Sequence, residues 1–357
     1  MRLLFVSEAT KWTGGTNQIL LTAGELSRRG HSINIACSPG SELETRAKAI
    51  GIATSPLNIR QEYDFFSSIQ LKRIARTTSA RLVHAHHPRA HGICLIAKLF
   101  GLKQPLVVTR RVLFPIKKNL GSQIKYRSSF IEHFIAISNA IVRELHKTGI
   151  PSDRVSLIPS AVELKPWIEA RNLNRSAENE GFPRIGMVGN FSDFKGHQFF
   201  IRAAKRVVQF FPKAGFVLVG RDTEKLAEMI GETGLKANFE ILGERKDVPK
   251  ILPDFHLFVM PSLQEGLGSA LIEAQVAGVP AIGTNVGGIP DIIIPGKTGV
   301  LVPPADPEAL AEAIIGSLRN YSKALEMASR GQKNAENLFG LPSVGDRLEK
   351  LYRSLIS

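Results

Sequence analysis

Short apolar runs alternate along the chain with longer stretches in which apolar residues recur every three or four positions. The short runs predict buried parallel strands and the longer stretches predict amphipathic helices, a pattern typical of repeated βαβ units. In the first half, the predicted strands are Leu3–Val6, Ser32–Ala36, Leu82–Ala85, Leu106–Thr109, Phe134–Ile137 and Val155–Ile158. The predicted helices between them are Asn17–Arg28, Phe65–Ala75 and Ala140–His146.

The same alternation begins again after a polar segment, residues 164–182, which shows no strong periodicity and is predicted to be a linker. The second set of predicted strands is Arg184–Val188, Gly215–Val219, Phe239–Leu242, Leu257–Met260 and Pro280–Gly283, with a helix at His197–Val208. We therefore predict an α/β protein with two Rossmann-like, doubly wound domains, residues 1–163 and 183–341. Ligands bind at the carboxyl ends of such sheets, and we expect the two domains to face a shared cleft.

Composition agrees with a folded protein of two domains. The chain has 357 residues, of which 43% are hydrophobic and 22% charged, and these values exclude a disordered or collagen-like protein. The two cysteines, Cys37 and Cys94, are too few for a disulfide framework and favour a reducing compartment. The chain shows no signal-peptide pattern and no run of about 18 apolar residues, so we expect a cytoplasmic protein.

Charge divides the chain into two unlike halves. Residues 1–170 hold 24 Lys and Arg against 11 Asp and Glu, whereas residues 171–357 hold 22 against 21. Between Asp64 and Glu132 there are 13 cationic residues and no acidic one. This stretch predicts a surface that faces a polyanion, with nucleic acid and anionic lipid as open alternatives and a solvated basic surface as the third.

Each half has a glycine turn after its first strand. Gly14 and Gly15 precede the first helix, where backbone N–H groups and the helix dipole favour an anion, although a structural turn explains such a pair equally well. The G-x-G-x-x-G spacing is missing, which argues against a nicotinamide dehydrogenase. In the second half, Lys195 lies at the start of a predicted helix, an unfavourable place for a cation unless an anion binds there too.

The segment after the strand Leu257–Met260 carries two carboxylates, with Glu265 in a glycine-containing loop and Glu273 in the following helix. N–H groups at the start of that helix suit a phosphate, and a carboxylate farther along it suits paired sugar hydroxyls. This arrangement indicates a nucleotide sugar. A glycosidase also uses two carboxylates but requires no phosphate site.

These motifs resemble those of the retaining glycosyltransferases of family 4, which have the GT-B fold. The resemblance covers nearly the whole chain, including a last helix that would return to the first domain, residues 342–357. It is carried by residues 189–196, the Glu265 and Glu273 pair, residues 287–291, residues 296–302, residues 136–139 and residues 158–162.

The resemblance implies roles for individual residues. Lys195 would bind the donor diphosphate, Glu265 the donor sugar and Glu273 the ribose hydroxyls. Gly15 would approach the reacting centre, so the implied catalytic residues are Glu265, Lys195 and Gly15. The remaining donor-binding residues are Asn190, Gly243, Arg245, Gly266, Leu267, Gly268 and Ser269, and the acceptor-binding residues are Gly14, Thr16, His86, Arg110 and Arg111.

Two positions depart from the family pattern. Asn190 stands where the family usually has an arginine, so Lys195 would carry more of the diphosphate charge. Arg110 and Arg111 follow a strand after which the family often has a histidine. Because an arginine fork binds carboxylate or phosphate, these residues favour an anionic group on the acceptor or donor.

The sequence provides no metal site that we would assign. His84, His86, His87 and His91 lie close together without nearby carboxylates, and no Asp-x-Asp motif occurs that would hold a divalent ion on the diphosphate. We therefore expect a metal-independent enzyme, and the family resemblance implies a retaining hexosyltransferase or related glycosyltransferase without cofactor.

The expected partners are a nucleoside diphosphate sugar, a glycan or glycolipid acceptor such as a lipopolysaccharide core, and the inner face of an anionic membrane, bound peripherally. Among the cations of the acid-free stretch, we expect Lys117, Lys118, Lys125 and Arg127 to contribute to membrane binding. The alternatives are a nucleic-acid-binding protein, which lacks closely spaced aromatic residues for base stacking, and a GT-B enzyme with another reaction, such as an epimerase.

Overall fold

The computed structural model describes residues 1–116, 119–173 and 181–356. These residues form two compact units. Unit 1 comprises Met1–Ala161 and Leu341–Ser357, and unit 2 comprises Val162–Gly340.

In its described residues, unit 1 contains one seven-stranded sheet whose neighbouring strands are all parallel. The strands are β1 (Arg2–Val6), β2 (Ser32–Cys37), β3 (Ala53–Pro56), β4 (Leu82–Ala85), β5 (Leu106–Arg110), β6 (His133–Ala136) and β7 (Val155–Leu157), in the order β3-β2-β1-β4-β5-β6-β7. The helices are α1 (Gly14–Arg28), α2 (Glu42–Ala49), α3 (Phe65–Thr77), α4 (Pro88–Leu99), α5 (Leu120–Arg127) and α6 (Asn139–Lys147), with the later α15 (Leu341–Ile356) also in this unit.

Unit 2 has a six-stranded parallel sheet in its described residues, in the order β10-β9-β8-β11-β12-β13. These strands are β8 (Arg184–Val188), β9 (Gly215–Val219), β10 (Phe239–Gly243), β11 (Leu257–Met260), β12 (Ala281–Thr284) and β13 (Val300–Val302). Its helices are α7 (Lys165–Leu173), α8 (His197–Phe210), α9 (Ala227–Glu232), α10 (Val248–Ile251), α11 (Ser269–Val276), α12 (Ile289–Ile292), α13 (Pro307–Arg319) and α14 (Tyr321–Phe339).

The strands of both sheets are apolar because helices cover them. In unit 1, the inner strands pack against α1 and α15, and Tyr352 of α15 is fully buried in that core. Its hydroxyl lies 2.7 Å from Nδ1 of His84 on β4, so a buried polar pair fixes α15 on the sheet. The predicted pair of Rossmann-like domains is therefore confirmed.

The predicted linker is wrong in its first part. Residues 165–173 form α7, which belongs to unit 2, because Trp167 and Ala170 supply a buried face one helical turn apart. Arg171 holds this helix through Glu336, with Nη1 and Oε1 3.5 Å apart. The predicted linker residues 174–180 lie outside the described residues.

Candidate active site

In unit 2, the predicted donor residues lie in loops that follow the carboxyl ends of the parallel strands. The loop after β8 is held to the loop after β11 by the N–H of Leu263, which donates to the carbonyl of Phe194 at 2.7 Å. Gly196 has a φ of +75°, and a Cβ there would lie 1.9 Å from the carbonyl oxygen of Pro261. Only glycine fits this contact, which brings the residue next to it, Lys195, toward the β11 loop.

Lys195 and Glu265 form an ion pair across these two loops. The ammonium Nζ lies 2.5 Å from Oε2 of Glu265, although 70 residues separate them in the sequence. Both side chains remain partly accessible, at 30% for Lys195 and 14% for Glu265. A cation and an anion are thus placed side by side at the carboxyl edge of the sheet.

Helix α11 begins at Ser269, four residues after Glu265. Its N-cap is Gly268, with a φ of +105°, which has no side chain that could cap the first turn. The first N–H groups of the helix, those of Ser269 and Ala270, therefore receive no hydrogen bond from an N-cap side chain and can bind another acceptor. The side chain of Leu267 is buried, and Gly266 precedes it in the same loop.

Glu273 lies one turn into α11 and is partly buried. Burial raises the pKa of its carboxyl to about 8. No cation pairs with Glu273 in the part of the chain that the structure describes. A polar group held this way without a partner is suited to hydroxyl ligands.

The other three predicted donor residues are engaged within unit 2. The side-chain oxygen of Asn190 accepts from the N–H of Arg221 at 3.0 Å, so this residue ties two loops together. Gly243 ends β10 with a φ of +63° and accepts from the N–H of Gly220 at 2.8 Å. Arg245 is exposed and forms a two-bond pair with Asp247, at 2.8 and 2.7 Å.

Gly287 supports the position of Glu265, a role that the sequence prediction did not assign. Its φ is +56°, and a Cβ would come within 1.8 Å of the carbonyl oxygen of Glu265. The N–H of Gly288 donates to that same oxygen at 3.2 Å. The glycine pair Gly287 and Gly288, just beyond β12, is the feature of the sequence that could have indicated this close contact.

In unit 1, the glycine pair opens α1, with Thr13 as the N-cap. Thr16 and Thr13 form a capping box and the side chain of Thr16 is fully buried, so its hydroxyl is not available to an acceptor. Gly15 lies against His87, where a Cβ would be 2.9 Å from Nε2. His87, next to β4, therefore joins Gly14 and Gly15 at the carboxyl edge of this sheet.

His86 and Arg111 lie together at the same edge of unit 1. An Nη2 hydrogen of Arg111 points to Nδ1 of His86 at 3.4 Å, and Nη1 lies 3.4 Å from Oγ of Ser160. Both distances are long for hydrogen bonds, and Nε2 of His86 is buried without a partner in the described residues. Burial lowers the pKa of His86 well below its usual value, so the imidazole is neutral.

Arg111 is a cation without a carboxylate partner in the described part of unit 1. Burial lowers its pKa to about 10, which still leaves the guanidinium charged at neutral pH. Its neighbours are neutral, and the side chain is only partly exposed. A buried charge with incomplete hydrogen bonding is a strong attractor for an anionic group.

Arg110 was predicted to bind the acceptor together with Arg111, but its guanidinium is engaged elsewhere in unit 1. Its side chain is buried, with Nη1 donating to the hydroxyl of Tyr126 at 2.5 Å and Nη2 donating to the carbonyl of Phe114. Consecutive residues at the end of a strand point to opposite faces, so only one of them can reach the edge site. Arg110 instead holds the loop that follows β5.

Two further observations concern metals and membranes. Across residues 1–116, 119–173 and 181–356, no group of three or more His, Cys, Asp or Glu side chains is arranged to hold a metal ion. Within the same residues, no helix combines the length and the apolar character that crossing a bilayer requires.

Both units match known families. The model described as Glycosyltransferase Family 4 matches residues 12–165, and the model described as Glycosyl transferases group 1 matches residues 169–336. The chain is 26% identical to the UDP-Gal:alpha-D-GlcNAc-diphosphoundecaprenol alpha-1,3-galactosyltransferase of Escherichia coli, over 91% of this chain and 89% of that one. It is 29% identical to the capsular polysaccharide biosynthesis glycosyltransferase CapM of Staphylococcus aureus, over 93% and 92% of the two chains.

Solved structures share the fold. The crystal structure of Anabaena Alr3699/HepE in complex with UDP aligns with a TM-score of 0.87 at 19% identity, covering 99% of this chain and all of that one. Two parallel sheets of this kind are the GT-B fold class that the sequence motifs predicted. Since the two family models together span residues 12–336 almost without a gap, the chain belongs to glycosyltransferase family 4, whose members are nucleotide-sugar transferases of the GT-B type.

Proposed function

We propose that this glycosyltransferase moves a hexosyl or related sugar from a nucleoside diphosphate sugar to a lipid-linked glycan, such as a lipopolysaccharide core, at the cytoplasmic face of a membrane. We propose further that it retains the anomeric configuration and needs no metal ion. The observation that carries the donor assignment is the Lys195 and Glu265 pair beside the uncapped start of α11.

The pair matches the junction between the sugar and the diphosphate. In a nucleoside diphosphate sugar, the anomeric carbon and a phosphate share one oxygen atom, so a sugar ligand and a phosphate ligand must stand next to each other. Glu265 would accept hydrogen bonds from sugar hydroxyls, while Lys195 and the N–H groups of Ser269 and Ala270 would bind phosphate oxygens. Glu273, deeper along α11, would accept from the ribose hydroxyls.

The reaction then depends on stabilising the leaving group. As the bond from the anomeric carbon to the phosphate oxygen breaks, negative charge grows on the diphosphate, where the ammonium of Lys195 and the dipole of α11 stabilise it. The leaving phosphate oxygen takes the proton of the acceptor hydroxyl on the same face of the sugar, and the new glycosidic bond keeps the anomeric configuration. No side chain has to act as a base in this scheme.

A panel of donors tests the assignment directly. We would measure the melting temperature of the protein with UDP-, GDP- and ADP-sugars, followed by release of the nucleoside diphosphate. A donor of the proposed class stabilises the protein by mass action, because it binds only the folded state. Absence of stabilisation by every nucleotide sugar, at concentrations that saturate related enzymes, would contradict the proposal.

On the acceptor side, Arg111 supports a phosphate-bearing acceptor. Its guanidinium lies at the edge of unit 1 beside His86 and Ser160, and it has no carboxylate partner among the described residues. The Escherichia coli relative is named for an acceptor that carries a diphosphate on a lipid. We propose that the acceptor's phosphate binds Arg111, while His86 and Ser160 orient the guanidinium.

Replacing Arg111 with methionine is expected to raise KM for a short-chain GlcNAc-diphospholipid by about 10- to 100-fold, since a charge-assisted hydrogen bond is lost. KM for the uncharged octyl GlcNAc should stay within about twofold. Arg143→Met, on the exposed surface of α6, is the matched control. Equal loss with both acceptors would contradict phosphate recognition by Arg111.

Activity is expected to survive a chelator. The chain lacks an Asp-x-Asp motif and offers Lys195 to the diphosphate, so removal of divalent ions should change kcat by less than about twofold. The measurement is release of the nucleoside diphosphate before and after dialysis against EDTA. Complete loss of activity that Mg²⁺ or Mn²⁺ restores would overturn metal independence.

A further inference from the structure

Tyr352 of α15 and Thr109 of β5 hold the imidazole of His84 at both of its nitrogens. The Tyr352 hydroxyl lies 2.7 Å from Nδ1, and Oγ1 of Thr109 lies 2.6 Å from Nε2. All three side chains are buried, and burial lowers the pKa of His84 well below its usual value, so the ring is neutral. A neutral imidazole has one donor and one acceptor nitrogen, and the two hydroxyl groups satisfy both. The ring of His84 therefore has a fixed orientation.

The ring of His84 lies against that of His86, the neighbour of Arg111. Residues two positions apart in an extended chain project to the same side, and the two ring centroids are 3.9 Å apart with a tilt of 36°. Phe5 of β1 also packs on His86, with the ring centroids 4.7 Å apart. Because Nε2 of His86 has no hydrogen-bond partner in the described residues, ring packing is what mainly holds this side chain.

The guanidinium of Arg111 is not fixed by close packing. A cavity of about 20 Å³, which has room for one water molecule, lies beside it, and His84, His86 and Thr109 are among its lining residues. Nε of Arg111 is buried without a partner among the described residues, and its Nη atoms contact His86 and Ser160 at 3.4 Å each. The direction in which this cation points therefore depends on few contacts, and His86 provides one of them.

Two other cations of the same part of the sequence are held by other groups. Arg110 is engaged by the loop that it holds. Lys125 is buried and pairs with Glu62, so it cannot reach a membrane as the sequence predicted, and residues 117 and 118 lie outside the described residues. Neither Arg110 nor Lys125 can replace Arg111 toward a phosphate, so recognition there depends on how Arg111 is oriented.

We propose that Tyr352 and His84 are positioning residues for acceptor recognition, which hold His86, and through it Arg111, in the orientation that binds the acceptor phosphate. Without the Tyr352 hydroxyl, Nδ1 of His84 is buried without a partner, and the ring turns toward another polar group. His86 moves with it because the two rings are in contact. The inference rests on the proposed function, in which Arg111 binds that phosphate.

The test compares two soluble acceptors, the short-chain GlcNAc-diphospholipid and octyl GlcNAc, with the nucleotide sugar that best stabilises the protein. Tyr352→Phe should raise KM for the diphospholipid about 3- to 10-fold, a part of the loss expected for Arg111→Met. KM for octyl GlcNAc should change by less than about twofold, because it has no phosphate. Thr109→Val, which removes the partner of the other nitrogen of His84, should give the same selective loss.

Ser156→Ala is the matched control, because it removes the hydroxyl partner of another buried histidine. Nε2 of His133 lies 2.8 Å from Oγ of Ser156. Loss of folded protein lowers kcat with both acceptors and leaves both KM values unchanged, so the control and a purely structural role of Tyr352 would share that pattern. In an Arg111→Met background, Tyr352→Phe should have no further effect on KM, since Tyr352 acts through Arg111.

Nitrogen NMR of protein labelled at histidine adds a measurement that needs no turnover. Tyr352→Phe should shift the ring signals of both His84 and His86. Ser156→Ala should shift those of His133 and leave those of His86 in place.

Three results would overturn the proposal: equal changes of KM for the two acceptors in Tyr352→Phe, an effect that persists in the Arg111→Met background, and unshifted His86 signals. If Arg111→Met raises KM for the diphospholipid while Tyr352→Phe does not, the positioning role is wrong and phosphate recognition by Arg111 stands. If neither variant changes that KM, the acceptor assignment is wrong and the positioning role fails with it.

Discussion

Replacing Lys195 with alanine is expected to lower kcat by about 10² to 10³, the usual loss when one group that stabilises developing negative charge is removed. Its ammonium is the cation placed directly beside Glu265, and Asn190, which faces Arg221, supplies no second charge. The loss should appear in kcat more than in KM, because charge on the diphosphate grows only as the bond breaks.

Two comparisons isolate that effect. Lys195→Arg keeps the charge and should recover part of the rate, whereas Lys205→Ala removes an exposed lysine of α8 and should leave kcat unchanged. Glu265→Ala should also lower turnover with little change in nucleotide affinity. A Lys195→Ala enzyme with unaltered kcat would show that other groups stabilise the leaving group.

Glu273→Gln is expected to weaken nucleotide binding by about 10- to 100-fold and to stabilise the free protein at high pH. The carboxyl group is lost as a ligand for the two ribose hydroxyls, which lowers affinity. The substitution also removes an ionisable group that the fold buries, and this changes the pH dependence of the free energy of unfolding.

The sign of the stability change follows from the two pKa values. In the unfolded chain Glu273 ionises near its usual value, whereas burial raises the folded pKa to about 8. Its contribution to stability is therefore complete below the unfolded pKa and is lost as pH rises toward 8. Glutamine does not ionise, so the variant should exceed the parent by on the order of 1 to 3 kcal/mol at about pH 8 and by little at about pH 5.

Calorimetry with UDP, GDP and ADP, and thermal unfolding at the two pH values, measure both parts. Glu228→Gln, an exposed glutamate of α9, is the matched control and should change neither. Unchanged nucleotide affinity would remove Glu273 from the ribose site. A stability difference that does not depend on pH would mean that its carboxyl is not held protonated by the fold.

The strands that carry the site were predictable because they are buried on both faces and read as continuous apolar runs. Two of the four edge strands were not predicted: β3, which consists of Ala, Thr, Ser and Pro, and β13, which has three residues. Helix α2 was missed because half of its residues are charged and its buried face consists of Leu43 and Ala47. Hydrophobic periodicity carries little information where so few residues are buried.

For the site, the order of strands and loops along the sequence predicted which residues lie at the carboxyl edge of each sheet. It did not predict which of these residues are in contact. Lys195 and Glu265 were expected in one place because both follow strands of the same sheet, yet their direct contact depends on glycines at 196 and 287 that admit close backbone approach. Arg110 and Arg111 point in different directions because side chains alternate along a strand. The partner of Arg110, Tyr126, could not be predicted in this way, since it lies 16 residues farther along the chain, on α5.

The position of α15 in unit 1 has a consequence for how the polypeptide matures. The ribosome makes residues 162–340 before it makes α15, and at about 5 to 20 residues per second this takes roughly 10 to 35 seconds. During that time the apolar surface of β4 and α1 has no α15 to cover it, and His84 has no Tyr352. Unit 2, although later in the chain, can therefore complete its core first, and unit 1 exposes part of its apolar core until α15 has been made.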